Sequence, residues 1–162
     1  MDEKQRHALE RFSQQGKVVA LVEDEQFWRE EGQKELEKFG LIAQGFSSVS
    51  ELETAELNIG AIVLGLPILS DLQVIEPAVN IAVKRRVPLV VTTTSGLTPQ
   101  SVEKKILVKG GVSQDKVPME CVSGRQYNII IEAIAQGLYK LTDKIKESSS
   151  YRRFSLKTPT ES

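Results

Sequence analysis

Residues 17–25, KVVALVEDE, decide how the rest of this chain is read. Lys17–Val22 is short, rich in β-branched residues and nearly all apolar, which suits a strand covered on both faces. Glu23-Asp24-Glu25 then ends the run abruptly. A strand buried on both sides implies helices above and below its sheet, and such sheets carry their functional groups at the carboxyl ends of the strands. The acidic triplet stands at one of those ends.

Working outward, a helix is predicted from about Gln26 to Phe39. Trp28, Gly32, Leu36 and Phe39 fall at helical spacing, glutamates and lysines fill the other face, and Gly40 is the stop. Leu41–Phe46 is a second, weaker strand, and Ser47, Ser48 or Ser50 can cap a short helix that turns Val49, Leu52 and Ala55 inward. Ile59–Leu64 is a third buried strand ending at Gly65-Leu66-Pro67. The next helix carries Ile75, Ala78, Val79, Ala82 and Val83 on one stripe and begins near Ile75 or Glu76, because Pro77 fits only a first turn. Pro88–Thr93 is the clearest strand. Thr98-Pro99 then opens a helix to about Lys109, closed by Gly110-Gly111. Lys116–Val122 is the fifth strand, and a last helix from about Arg125 to Lys146 turns Ile130, Ala133, Ile134, Gly137, Leu138 and Leu141 to one side. The fold class expected is α/β: a five-stranded parallel sheet, doubly wound, with an N-terminal helical extension and a flexible C-terminal tail. The divisions are 1–16 for the extension, 17–147 for the domain and 148–162 for the tail.

With 162 residues, 40% apolar and 27% charged, the chain has the size and balance of one globular domain that needs no disulfide or metal to be stable. A net charge of −1 gives no footing for nucleic acid or an anionic membrane. One cysteine, Cys121, allows no intrachain disulfide, and one histidine, His7, allows no His-rich metal site. The first residues are polar, and no apolar stretch approaches the roughly 20 residues that cross a bilayer, so a cytoplasmic location is expected.

Three stretches carry a family resemblance. VALVEDEQFWRE, residues 19–30, is similar to the first strand and acidic turn of bacterial response-regulator receiver (CheY-like) domains. The distance from Pro67 to Pro88 resembles that family's spacing between the proline after the phosphorylation loop and the proline opening the fourth strand. VPLVVTTT, residues 87–94, looks like the fourth strand with its switch hydroxyl, placed at Thr93; the resemblance covers about residues 17–141.

The resemblance implies a four-part apparatus: acidic residues that hold Mg²⁺, an aspartate nucleophile ending the third strand, a lysine ending the fifth, and the switch hydroxyl. Carried over, the acidic pair is Glu23 and Asp24 and the hydroxyl is Thr93. The nucleophile position falls on Val63 by counting back from Pro67, or on Gly65 if the loop is shortened, and the lysine position falls near Ser123 in CVSGR. Neither carries the needed group. The expectation is therefore a degenerate, pseudo-receiver member with a vestigial acidic pocket of Glu23, Asp24 and Thr93, no catalytic residue, no metal and no cofactor. It would act by protein–protein interaction or dimerisation, its partner a histidine kinase, another signalling protein or a second copy in a homodimer, with neither nucleic acid nor membrane involved. In receivers the fourth helix, fifth strand and fifth helix form the partner surface, which maps here onto Val102, Ile106, Met119, Arg125 and Tyr127.

Two other readings stay open. Thr92–Gly96 before the helix at Pro99 could form an anion site with Glu23 and Asp24, making a small phosphate- or nucleotide-handling flavodoxin-like enzyme. Alternatively a receiver could be phosphorylated at a non-standard residue, Asp71 or Asp24. Ala8, Leu9 and Phe12 give the N-terminal segment one amphipathic edge, fit for packing on the domain or docking to a partner. Trp28 is expected in the core, Cys121 as a small buried hydrophobe, and Arg152-Arg153-Phe154-Ser155 resembles a basophilic-kinase substrate.

Overall fold

The computed structural model describes residues 1–65, 75–93 and 118–141. Five strands, β1 (Val18–Val22), β2 (Ile42–Phe46), β3 (Ile59–Gly65), β4 (Leu89–Thr93) and β5 (Met119–Ser123), form one all-parallel sheet in the order β2-β1-β3-β4-β5. Helices α1 (Glu3–Gln14), α2 (Gln26–Lys38), α3 (Val49–Glu53) and α4 (Ile75–Arg85), with α5 over residues 127–141, cover it. The expected helix over 99–109 and the tail 148–162 lie outside the described residues, as do Val102, Ile106 and Asp71.

Strand alternation explains why these strands read as unbroken apolar runs. Val19 and Leu21 of β1, Ala61 and Val63 of β3 and Val90 of β4 join Phe12, Leu36, Ile130 and Ile134 in a layer under α1, α2 and α5. Ala20 and Val22, Ile62 and Leu64, Leu89 and Val91 join Leu52, Ala78 and Val79 in a second layer under α3 and α4. Each face needs its own apolar set, so polar residues enter only at the strand ends.

The segment before β1 packs on the domain. Asp2 caps α1 reciprocally: the Gln5 N–H donates to Asp2 Oδ1 at 2.8 Å, and the Asp2 N–H donates to Gln5 Oε1 at 3.1 Å. Phe12 is only 2% exposed and shares its layer with α5, and the Gln5 amide donates to the Gln136 side chain. Gly40, at φ +80°, closes α2 in the left-handed conformation. Two residues expected on the buried stripe of α2 are not there. Gly32 and Leu36 are buried, but Trp28 is half-buried and Phe39 is 51% exposed. Gly32 and Leu36 lie on the face of α2 turned to the sheet, whereas Trp28 and Phe39 do not.

The order β2-β1-β3 sets the position of the site. The chain winds one way from β1 to β2 and the other way to β3, which opens a crevice above the carboxyl ends of β1 and β3. Val22 pairs with Leu64, so the next residues on either strand are Glu23 and Gly65.

Candidate functional site

Glu23 extends β1 by one residue. Its N–H donates to the Phe46 carbonyl at 3.0 Å, and Arg29 Nη1 donates to the Glu23 carbonyl at 2.8 Å. Alternation turns its side chain to the same side as Leu21, between α2 and α5, where the residue is 2% exposed. A carboxylate so enclosed needs a cation, and Arg125 supplies it: Nε donates to Oε1 at 3.2 Å and Nη2 to Oε2 at 3.5 Å. The guanidinium carbon lies 4.4 Å from the centre of the Trp28 ring, so the cation is held between a carboxylate and an aromatic face. Phe27 meets Trp28 edge-on, with ring centres 4.9 Å apart.

Burial pushes the Glu23 carboxyl above its ordinary value; the Arg125 hydrogen bond and charge oppose this, and the charges of Asp24 and Glu25 add to it. Beside the pair, burial first and the Glu23 charge second push the Tyr127 phenol up to about 12.

Gly65 faces this pair. A Cβ built on Gly65 would overlap the Glu23 carboxylate, so that carboxylate occupies the space a side chain at position 65 would need. Val63, the other candidate for the nucleophile position, is 1% exposed and packs with Ala61 and Val90 inside the core, away from the strand ends. Thr92 is the register partner of Gly65 and shares its side of the sheet. Thr93 falls on the α4 side with Val91, pairs with Ser123, and keeps a buried hydroxyl with no hydrogen-bond partner among the described residues. Asp24 is exposed.

Arg125 reaches Glu23 through a turn that sequence reading passed over. The Gly124 N–H donates to the Thr93 carbonyl at 2.6 Å, and Gly124 adopts φ +73°, where a side chain would be strained. The chain thereby folds back over the sheet and delivers a cation from two positions beyond Ser123, which is itself exposed. A glycine directly after a strand, followed by arginine, was the available signal. Of the residues expected on a partner surface, Arg125 and Tyr127 border a groove between α2 and α5. Met119 does not: the first residue of β5 turns into the α4 layer, so it serves packing. Cys121 packs against that layer but stays partly exposed, since β5 is an edge strand.

A receiver-type Mg²⁺ asks for several oxygen donors around one point. Here Glu23 brings a carboxylate already held by a guanidinium, Asp24 is exposed and position 65 brings none, and no group of three or more His, Cys, Asp or Glu gathers among the described residues. The donors among the described residues do not fit that ion. Nor is any described helix long and apolar enough to cross a membrane.

Solved structures share this architecture. The response regulator StyR aligns with a TM-score of 0.58 at 20% identity, over 88% of this chain and 69% of its own. A receiver domain protein (CheY-like) from Methanospirillum hungatei aligns at 0.55 and 15% identity, over 81% of this chain and 98% of its own. A receiver protein from Sinorhizobium medicae gives 0.56 at 17%, over 77% and 96%. The fold is that of receiver domains, an α/β flavodoxin-like sheet with helices on both faces. No family model matches the chain, and no curated protein matches it in sequence.

Proposed function

We propose that this chain is a phosphorylation-independent pseudo-receiver: a signalling module that acts by binding another protein or a second copy of itself. The receiver fold supports a signalling role. One observation carries the non-catalytic part: the Glu23 carboxylate, neutralised by Arg125, fills the space above Gly65 where a receiver would present its nucleophile. Among the described residues, a phosphoryl group arriving there meets no free carboxylate in line and finds the cation beside it, Arg125, already engaged. Two-component proteins, a histidine kinase among them, are the class of partner that this fold serves.

Incubation with acetyl phosphate and Mg²⁺, followed by intact mass measurement, tests the reading. The expected mass is unchanged. A stoichiometric gain of about 80 Da, one phosphoryl group, on Asp24, Glu23 or Asp71 would overturn it.

A further inference from the structure

Among the described residues, the two most exposed large apolar side chains, Phe27 at 61% and Phe39 at 51%, stand at the two ends of α2. Between them the helix carries Glu31, Lys34 and Lys38, which repeat from Phe27 at steps of four, three and four residues. That spacing places them on one stripe, with Glu35 beside it. Trp28, Phe39 and Tyr127 line the adjoining groove between α2 and α5, whose volume is about 350 Å³. The helix therefore presents an apolar ring at each end and mixed charge in the middle.

The charges decide what can cover this face. Glu31 lies 3.8 Å from Lys34 and Glu35 lies 2.8 Å from Lys38, so both signs alternate along the helix. A cationic partner would set its charge against Lys34 and Lys38, and an anionic one against Glu31 and Glu35. A second α2 laid antiparallel meets neither conflict. When the two helices cross between residues 34 and 35, Glu31 faces the partner subunit's Lys38 and Lys34 faces the partner subunit's Glu35. Two-fold symmetry repeats both pairs. The same crossing sets Phe27 against the end of the partner helix that carries Phe39. The pairs within each helix are exposed and weak, so exchanging them for pairs between helices costs little. We propose, on the reading that this chain acts by binding, that its partner is a second copy and that the two copies form a two-fold dimer through antiparallel α2 helices.

Sedimentation equilibrium on the full chain measures the dimer, and two variants of opposite charge test the pairing. Glu31→Lys/Glu35→Lys makes the four charged positions all cationic, and Lys34→Glu/Lys38→Glu makes them all anionic. The wild-type chain should dimerise with a micromolar Kd. Each variant alone should dimerise roughly tenfold or more weakly, because like charges then face each other. Their equimolar mixture should recover the wild-type affinity, since every pair regains opposite signs. Phe27→Ser leaves the charges alone and should also weaken the dimer about tenfold. The substituted side chains lie on the helix surface, and thermal unfolding checks that each variant is folded. A wild-type chain that stays monomeric at about 100 μM would refute the dimer. So would a dimer that either charge variant leaves intact, or a mixture no more dimeric than its components. None of these results alters the mass found after acetyl phosphate, so loss of the dimer and loss of the pseudo-receiver reading are separate outcomes.

Discussion

Replacing Arg125 by methionine keeps most of the stem that lies against Trp28 but removes the charge that neutralises Glu23. Breaking one side of a buried ion pair costs about 3–5 kcal/mol, because the remaining charge stays buried without a partner. The lower end applies here, since 21% of the Arg125 side chain is exposed and water at the rim can relax toward Glu23. A loss of about 3 kcal/mol lowers the melting temperature of a chain this size by roughly 6–12 °C. The pH dependence identifies the cause. The variant loses both influences that lower the Glu23 carboxyl, leaving burial and the charges of Asp24 and Glu25, so its folded pKa climbs further above the ordinary 4.5. An acid whose pKa is higher in the folded state binds more protons folded than unfolded. The stability that this proton gives is fully present below the unfolded value and drains away as pH rises through the folded one, at up to about 1.4 kcal/mol per unit. Urea unfolding of Arg125→Met and of Glu23→Gln/Arg125→Met, from pH 5 to pH 8, isolates this contribution. The double variant should recover most of the loss at pH 8, and the two curves should converge toward pH 5. Parallel curves, or no recovery with glutamine, would mean that Glu23 is not confined by the pair and would refute the account of the site.

Three further outcomes follow from the same geometry. Gly65→Asp puts a side chain into the volume held by the Glu23 carboxylate, so it should destabilise by about 1–3 kcal/mol and still gain no phosphoryl group from acetyl phosphate, as unfolding and intact mass will show. The Tyr127 phenol, pushed up to about 12 by burial and the Glu23 charge, should ionise last in an ultraviolet titration. Because the folded state favours the neutral phenol, its contribution holds below the ordinary value near 10 and is lost as pH rises toward 12, a limb that Tyr127→Phe should remove. Phe12→Ala should cost about 3–5 kcal/mol by equilibrium unfolding, the loss of a buried ring, if α1 belongs to the core and is not a detachable arm.

The strands were legible because a parallel sheet needs apolar residues on both faces, and KVVALV, IGAIVL and PLVVTT admit no other comfortable setting. The helix that follows β1 was legible in extent but not in orientation. Periodicity selects a stripe, and it could not reveal that Trp28 and Phe39 stay partly or largely exposed while Gly32 and Leu36 between them are buried. The site was half visible. Glu23 and the missing carboxylate on β3 could be read from the strand ends, but the choice between Val63 and Gly65 rests on the register Val22↔Leu64, which one strand alone does not encode. The same holds for the hydroxyls. Thr92 and Thr93 are neighbours in sequence, and only strand pairing puts Thr92, not Thr93, beside Gly65. Arg125 was read only as a partner-surface residue; its pairing with Glu23 escaped because it depends on a left-handed turn at Gly124 and joins residues 102 positions apart.

These misreadings converge on one local exchange. Gly65 presents no side chain at the end of β3, and the Glu23 carboxylate lies in the space a Cβ there would need. Once there it is buried, and a buried carboxylate is tolerable only with a cation at hand. A lysine at position 123 would start from β5 itself, whereas arginine after the Gly124 turn reaches both carboxylate oxygens and rests its planar face on Trp28. Trp28 in turn must leave the core to meet that guanidinium, which is why it breaks the stripe expected of α2. Gly65, Glu23, Arg125 and Trp28 are therefore one coupled arrangement, and a substitution at any one of them should disturb the others.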